Sequence, residues 1–206
     1  MKAQEKILSG AEGIFNRYGI RSVTMDDIAS RLGISKKTIY QSFKDKDHLV
    51  TSILKLSLAE KEKEMELISK KSANAVEEIL LLMEYLAKIF STIHPNTFYE
   101  LEKYYPAAWK LFLNHRDNYI LKKVKENLRA GIKQGLYRNE FDIHIMAKLR
   151  MVAVESCCSP AVFPPGEFNL SEVQIQCMTH YLYGLCTDKG FNLIQNFKKK
   201  NHTRKK

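Results

Sequence analysis

Apolar side chains recur at helical spacing along most of the chain. Ile7, Ala11, Ile14, Phe15 and Tyr18 fall at i, i+4, i+7, i+8 and i+11, which predicts an amphipathic helix over residues 3–18 that Gly19 ends. Ile28, Ala29 and Leu32 form a shorter stripe, with Thr24 as its N-cap, Asp26 and Asp27 in the first turn and Gly33 just past its end. Ser35 reads as the N-cap of another short helix over 36–43. Leu49, Ile53, Leu56 and Ala59 mark a helix over 45–70, whose second half alternates charge in the run EKEKEMEL. Ile79, Met83, Leu86, Phe90 and Ile93 mark one over 72–93, broken by His94–Pro95. The segment 96–115 is rich in aromatics, and Pro106 opens a helix within it. Residues 118–134 are basic and amphipathic, up to Gly135. Two further helices, 142–158 and 171–186 with Ser171 as N-cap, are apolar around much of their circumference. A last helix over 189–197 precedes a basic end. No strand pattern, repeat period or Gly-rich phosphate loop stands out, so the expected fold is all-α: a small three-helix head and a larger helical body.

The stretch Thr24 to Leu49 carries the most specific signal. Two short helices joined by a turn containing Gly form the helix-turn-helix pattern. The start of the second helix then faces the major groove. Lys36, Lys37 and Thr38 stand there and are expected at or near base edges. Tyr40, Ser42 and Lys46, with Thr24 at the start of its helix, are expected to hold phosphates.

These residues also resemble a known family. Thr24, Met25, Asp26, Asp27, Ile28 and Ala29, then Gly33 to Lys36, Thr38 to Tyr40, Phe43, and Lys44 to Leu49 are similar to the signature of the TetR family of transcriptional regulators. The resemblance is dense over the first fifty residues or so; beyond them it extends only to length and helical character. One departure is Lys37, where many members carry a small residue. The resemblance implies a homodimeric regulator, in repression the commoner mode, acting on near-palindromic double-stranded DNA. It also implies a small ligand held among the body helices, and that the helix over 45–70 links head to body.

Charge supports this division. The net charge is +10, of which residues 1–50 carry +3, residues 51–197 carry +1 and residues 198–206 carry +6. Positive charge thus sits at the two ends, as suits a DNA-binding head and a basic tail. We expect a DNA-binding domain over 1–48, a regulatory and dimerisation domain over 49–197, and a disordered tail over 198–206. The chain begins without the apolar core of a signal peptide and has no run long enough for a membrane span, so a cytoplasmic protein with no membrane association is expected. Cys157, Cys158, Cys177 and Cys186 form neither a C-x-x-C pair nor a secreted framework and are expected to be reduced core thiols. His94, His115, His144 and His180 show no metal spacing, and no cofactor is expected.

In the body, Tyr105, Trp109 and Phe112 are expected to line a ligand cavity with Met83, Phe90, Met151 and Glu155. The ligand would be mostly apolar, and Glu155 would suit a cationic group. An ordinary aromatic core is the competing reading of the same residues. A twofold interface is expected on the two apolar helices, through Ile145, Leu149, Met178, Leu182 and Leu185. Two other functions stay open: a helix-turn-helix regulator controlled by a protein partner, and a helical enzyme or carrier. Catalysis would need a nucleophile, base or metal constellation, and Glu155 with Cys157 is the nearest approach, so no enzyme is expected.

Overall fold

The computed structural model describes residues 3–204. Among them are eleven α-helices and one π-helical turn, with two isolated bridges as the only β pairing. Helices α1 (Ala3–Tyr18), α2 (Met25–Leu32) and α3 (Lys36–Ser42) make the head. The body follows as α4 (Lys46–Lys71), α5 (Ala75–Phe90), α6 (Thr97–Tyr104), α7 (Pro106–His115), α8 (Leu121–Lys133), α9 (Ile143–Cys157), α10 (Leu170–Leu185) and α11 (Asp188–Arg204).

Local chemistry sets the head helices. The Thr24 Oγ1 accepts from the Asp27 N–H at 3.1 Å while the Asp27 carboxylate accepts from the Thr24 N–H at 2.8 Å, a reciprocal cap that fixes the start of α2. Gly33 ends it with φ 64°, a conformation that costs any other residue, and so turns the chain into α3. Ile7, Ala11, Phe15, Ile28, Ile39 and Phe43 close the core between these helices. Leu49, Val50 and Ile53 of α4 belong to the same core, as do Leu101, Tyr105 and Ala108 from α6 and α7. Head and body therefore share packed side chains.

A second core fills the body, where α5 packs along α10 and α8 against α9. Tyr137, 2% exposed, is one of its pins. Its hydroxyl lies 3.0 Å from both the Ala75 carbonyl and the Asn127 Oδ1. The ring fits against α8 only because position 131 is glycine: a Cβ there would fall 2.0 Å from the Tyr137 ring. Gly131→Ala should therefore destabilise by about 1–3 kcal/mol through overpacking, outweighing the roughly 1 kcal/mol by which Ala exceeds Gly in a helix. A melting temperature equal to or above that of the wild type would contradict this packing.

The structure differs from the sequence expectations at several ends. Asn74 caps α5, so it begins three residues later than expected, at Ala75. Asn169 rather than Ser171 caps α10, its Oδ1 accepting from the Glu172 N–H at 3.1 Å; Ser171 instead donates to the Ala87 carbonyl. The basic residues 198–204, expected to be disordered, continue α11 as far as Arg204; the end of the expected tail, 205–206, lies outside the described residues. Residues 116–120 wind as a π-helical turn, a local widening often found beside functional sites. Gly184 inside α10 marks no close helix packing: among the described residues nothing lies within 4 Å of the position a Cβ would take.

Candidate DNA-reading face and internal cavity

The outer face of α3 is polar and open. Lys36, Lys37 and Tyr40 are exposed, Tyr40 by 50%. Below them Ile39 and Phe43 are fully buried, which fixes the rotation of α3 and aims those side chains outward. Lys36 Nζ is paired with the Asp26 carboxylate at 2.5 Å, an exposed pair that raises the lysine's pKa above its ordinary value. The Ser35 Oγ accepts from the Thr38 N–H at 3.1 Å and lies 2.8 Å from the Thr38 hydroxyl. Ser42 is half-buried at the end of the helix.

Lys46 is placed differently from expectation. Its Nζ donates to the Arg21 carbonyl at 3.3 Å and lies 5.8 Å from the centre of the Tyr105 ring. Burial pushes its ammonium below the usual lysine range, against the pull of Glu100, Asp47 and Asp27. A phosphate contact through this side chain requires that inward bond to open.

Within the body lies a cavity of about 520 Å³, lined by every helix from α4 to α10 and the π-helical turn and reaching α1 beneath the head. That volume falls within the range of small-molecule sites. Of the seven expected ligand residues, Phe90, Phe112 and Met151 line it. Met83 packs against the body core instead. Tyr105 is buried in the head core and Trp109 packs against that core, because successive turns of α7 face different neighbours. Trp109 nevertheless stacks on Phe112 with ring centres 5.1 Å apart, one layer behind the cavity wall. Glu155 is outside: its carboxylate pairs with Arg116 at 2.5 Å and is mostly exposed, which removes its expected role towards a cationic ligand.

The polar lining was missed in the sequence. It includes Lys61, whose Nζ donates to Ser57 and whose burial lowers its pKa, and His115, whose Nδ1 lies 2.9 Å from Glu62. It also includes Arg150 and Gln174, 6% and 2% exposed. The visible signal was a lone arginine amid Met146, Ala147, Met151 and Val154, on the apolar side of α9.

The expected interface residues divide in two. Ile145 and Leu149 are exposed, by 68% and 55%. Met178, Leu182 and Leu185 are 3%, 1% and 0% exposed within the protomer's own core and are not available to a partner. Val152, 60% exposed, extends the α9 stripe, and Ile175 stands on the outer side of α10.

The thiols are all free, and Cys157 is buried. Burial pushes Cys157 and Cys158 up to about 12, which keeps both protonated at neutral pH and poorly nucleophilic. No described helix is long and apolar enough to cross a membrane.

A capped helix-turn-helix with an open lysine-bearing face is thus carried on an all-helical body that contains a cavity. Residues 7–53 match the model of the bacterial regulatory proteins of the tetR family. The uncharacterized HTH-type transcriptional regulator YvaF of Bacillus subtilis strain 168 is 33% identical over 106 residues, 51% of this chain and 55% of YvaF, so the chain spans about half the length of that relative. A second regulator of that organism, YhgD, also uncharacterized, is 26% identical over 155 residues, 72% of this chain and 80% of YhgD. The fold is that of the Bacillus subtilis transcriptional regulator FadR, solved in complex with stearoyl-CoA, with a TM-score of 0.67 and 19% identity over 87% of this chain and 98% of FadR. Residues 7–53 thus carry the segment that defines the tetR family of bacterial regulatory proteins, and the chain as a whole shares the fold of the regulator FadR.

Proposed function

We propose that the protein is a homodimeric repressor that reads a near-palindromic operator through residues 1–48 and loosens its grip when a small, largely apolar ligand enters the body, residues 49–197. The observation that carries the DNA reading is the outward face of α3, where Lys36, Lys37 and Tyr40 stand exposed on a buried Ile39–Phe43 base. Lysine amines can donate to guanine acceptors in the major groove, and tyrosine hydroxyls to phosphate. A single helix-turn-helix covers few base pairs, while a twofold pair reads half-sites one helical turn apart. The exposed stripe Ile145, Leu149 and Val152 supports the pairing. The cavity supports the ligand, and FadR, which shares the fold, was solved in complex with stearoyl-CoA.

Selection of bound duplexes from a random pool tests the reading, since it returns the operator and its symmetry together. On the selected sequence, Lys36→Ala should weaken binding by about 1–3 kcal/mol and relax one base preference. Tyr40→Phe should weaken binding about equally on all sequences. Unchanged affinity in both variants at moderate salt would remove α3 as the reading helix.

A further inference from the structure

Among the described residues, one cation of the cavity lining has no carboxylate paired with it. Arg150 enters from α9, is 6% exposed, and its Nη1 is buried without a hydrogen-bond partner among the described residues. The groups that act on it electrostatically are Tyr181 and the thiols Cys157, Cys177 and Cys158, and no carboxylate is among them. Other chargeable side chains of the lining are engaged elsewhere. Glu12 and Glu60 act on Lys61, and Glu78 accepts from Asn127 at 2.7 Å. His115 pairs with Glu62.

Tyr181 reaches the cavity from α10, and the Arg150 guanidinium lies over its ring, 5.4 Å from the centre. The Tyr181 hydroxyl is also buried without a partner among the described residues. Burial pushes it up to about 12, so at neutral pH it is a proton-bearing donor. Burial likewise draws the Arg150 pKa down, but from so high a starting value that the guanidinium stays charged. Two neighbouring side chains of the cavity lining, one of them cationic, thus each hold a donor with no partner among the described residues, where buried polar groups are normally paired. Apolar side chains, among them Leu82, Leu86, Phe90 and Phe112, line the rest of the space.

We infer that Arg150 and Tyr181 bind the oxyanion head of an amphipathic ligand, a carboxylate or phosphate whose apolar body lies along Phe90 and Phe112. This deepens the ligand reading given above and rests on it. A guanidinium donates two parallel hydrogen bonds to such a head, and the low dielectric around it strengthens them. A neutral alcohol of equal length offers the two donors a single uncharged oxygen in place of a charged pair, so the site discriminates by head group rather than by chain.

Calorimetric titration of the full-length protein with decanoate, decyl phosphate, decanol and decylamine tests this. At least one of the two anions should bind about 10- to 100-fold more tightly than decanol, the difference that one hydrogen-bonded charge makes, and decylamine should bind weakest. Arg150→Met should bring that anion to the level of decanol while leaving decanol unchanged or tighter. This replacement removes a buried charge for an apolar chain of similar length, a change that buried sites often tolerate. Tyr181→Phe should cost the same anion several-fold and serves as the check if the arginine variant does not fold. Decanol or decylamine equalling both anions, Arg150→Met retaining the anion preference, or none of the four probes saturating the protein would each overturn the assignment. A tight decanol complex that released operator would do so while leaving the ligand-controlled regulator intact. Selection of operator DNA tests the DNA reading independently.

Discussion

Leu149→Glu should convert the protein from a dimer to a monomer at micromolar concentration without unfolding it. Ile145, Leu149 and Val152 occupy one stripe of α9 at i, i+4 and i+7 and are exposed by 68%, 55% and 60%. Apolar exposure this concentrated on one helix face is what a protein interface presents before it is covered. A twofold contact places the same patch on both subunits, so each new carboxylate would enter an apolar surface close to its own symmetry mate. An uncompensated charge buried in this way costs about 3–5 kcal/mol, and the dimer would carry two. In the protomer alone the position is open to water, so the fold should tolerate the change. Leu182→Glu makes the contrast: at 1% exposure in the protomer core it should abolish folding rather than assembly. Sedimentation and thermal melting of the two variants separate these outcomes. A wild type that sediments as a monomer, or a Leu149→Glu variant that stays dimeric, would remove α9 from the interface. Because a monomer presents only one reading helix, the same variant should lose most of its affinity for a two-half-site operator.

That contrast also shows where sequence reading ends. The head was legible almost to the residue because its determinants are local. A threonine cap three residues before Asp27, a left-handed glycine at 33 and a serine cap at 35 specify helix ends without reference to the rest of the chain. The body helices were legible as elements, but the direction each face takes was not. On α10, Met178, Leu182 and Leu185 form as good an apolar stripe as any, and only the packing against α5 turns it inward. Tyr105, at the residue just before α7, and Phe112 on it are seven residues apart, two turns along one side, yet the first fills the head core and the second the cavity wall. Arg150 escaped notice for a related reason: a search for apolar stripes passes over the charged residue that interrupts one. Its burial among unpaired donors exists only once α9 and α10 are side by side.

Glu100→Gln should uncouple the ligand from the operator while sparing the affinity for each. Glu100 lies on α6 with its neighbours Thr97, Phe98 and Leu101 on the cavity wall. Its carboxylate accepts from the backbone N–H groups of Ile20 and Arg21 at 2.7 and 3.0 Å, in the turn between α1 and α2. Arg21 is further tied to α6, its Nη1 donating to the Tyr104 hydroxyl at 2.6 Å. The cavity is therefore joined to the head through α6 as well as through α4, the helix expected to link head to body. Leu49 and Val50 of α4 sit in the head core while Met65 and Ile68 line the cavity, so both helices can bias the spacing of the reading helices. A ligand shifts that equilibrium only by its differential affinity for the two arrangements. Couplings of this kind amount to about 1–3 kcal/mol, a factor of roughly 5 to 150 in operator affinity. The glutamine keeps an oxygen acceptor but loses the charge that strengthens both bonds. The expected result is a ligand response reduced several-fold in Glu100→Gln, with ligand affinity read from Trp109 fluorescence and unliganded operator affinity both near wild type. Glu100→Ala would leave the buried Ile20 N–H without an acceptor, at a cost of about 1–3 kcal/mol, and should melt earlier as well. A Glu100→Gln protein that releases operator as fully as the wild type would show that α4 alone carries the signal.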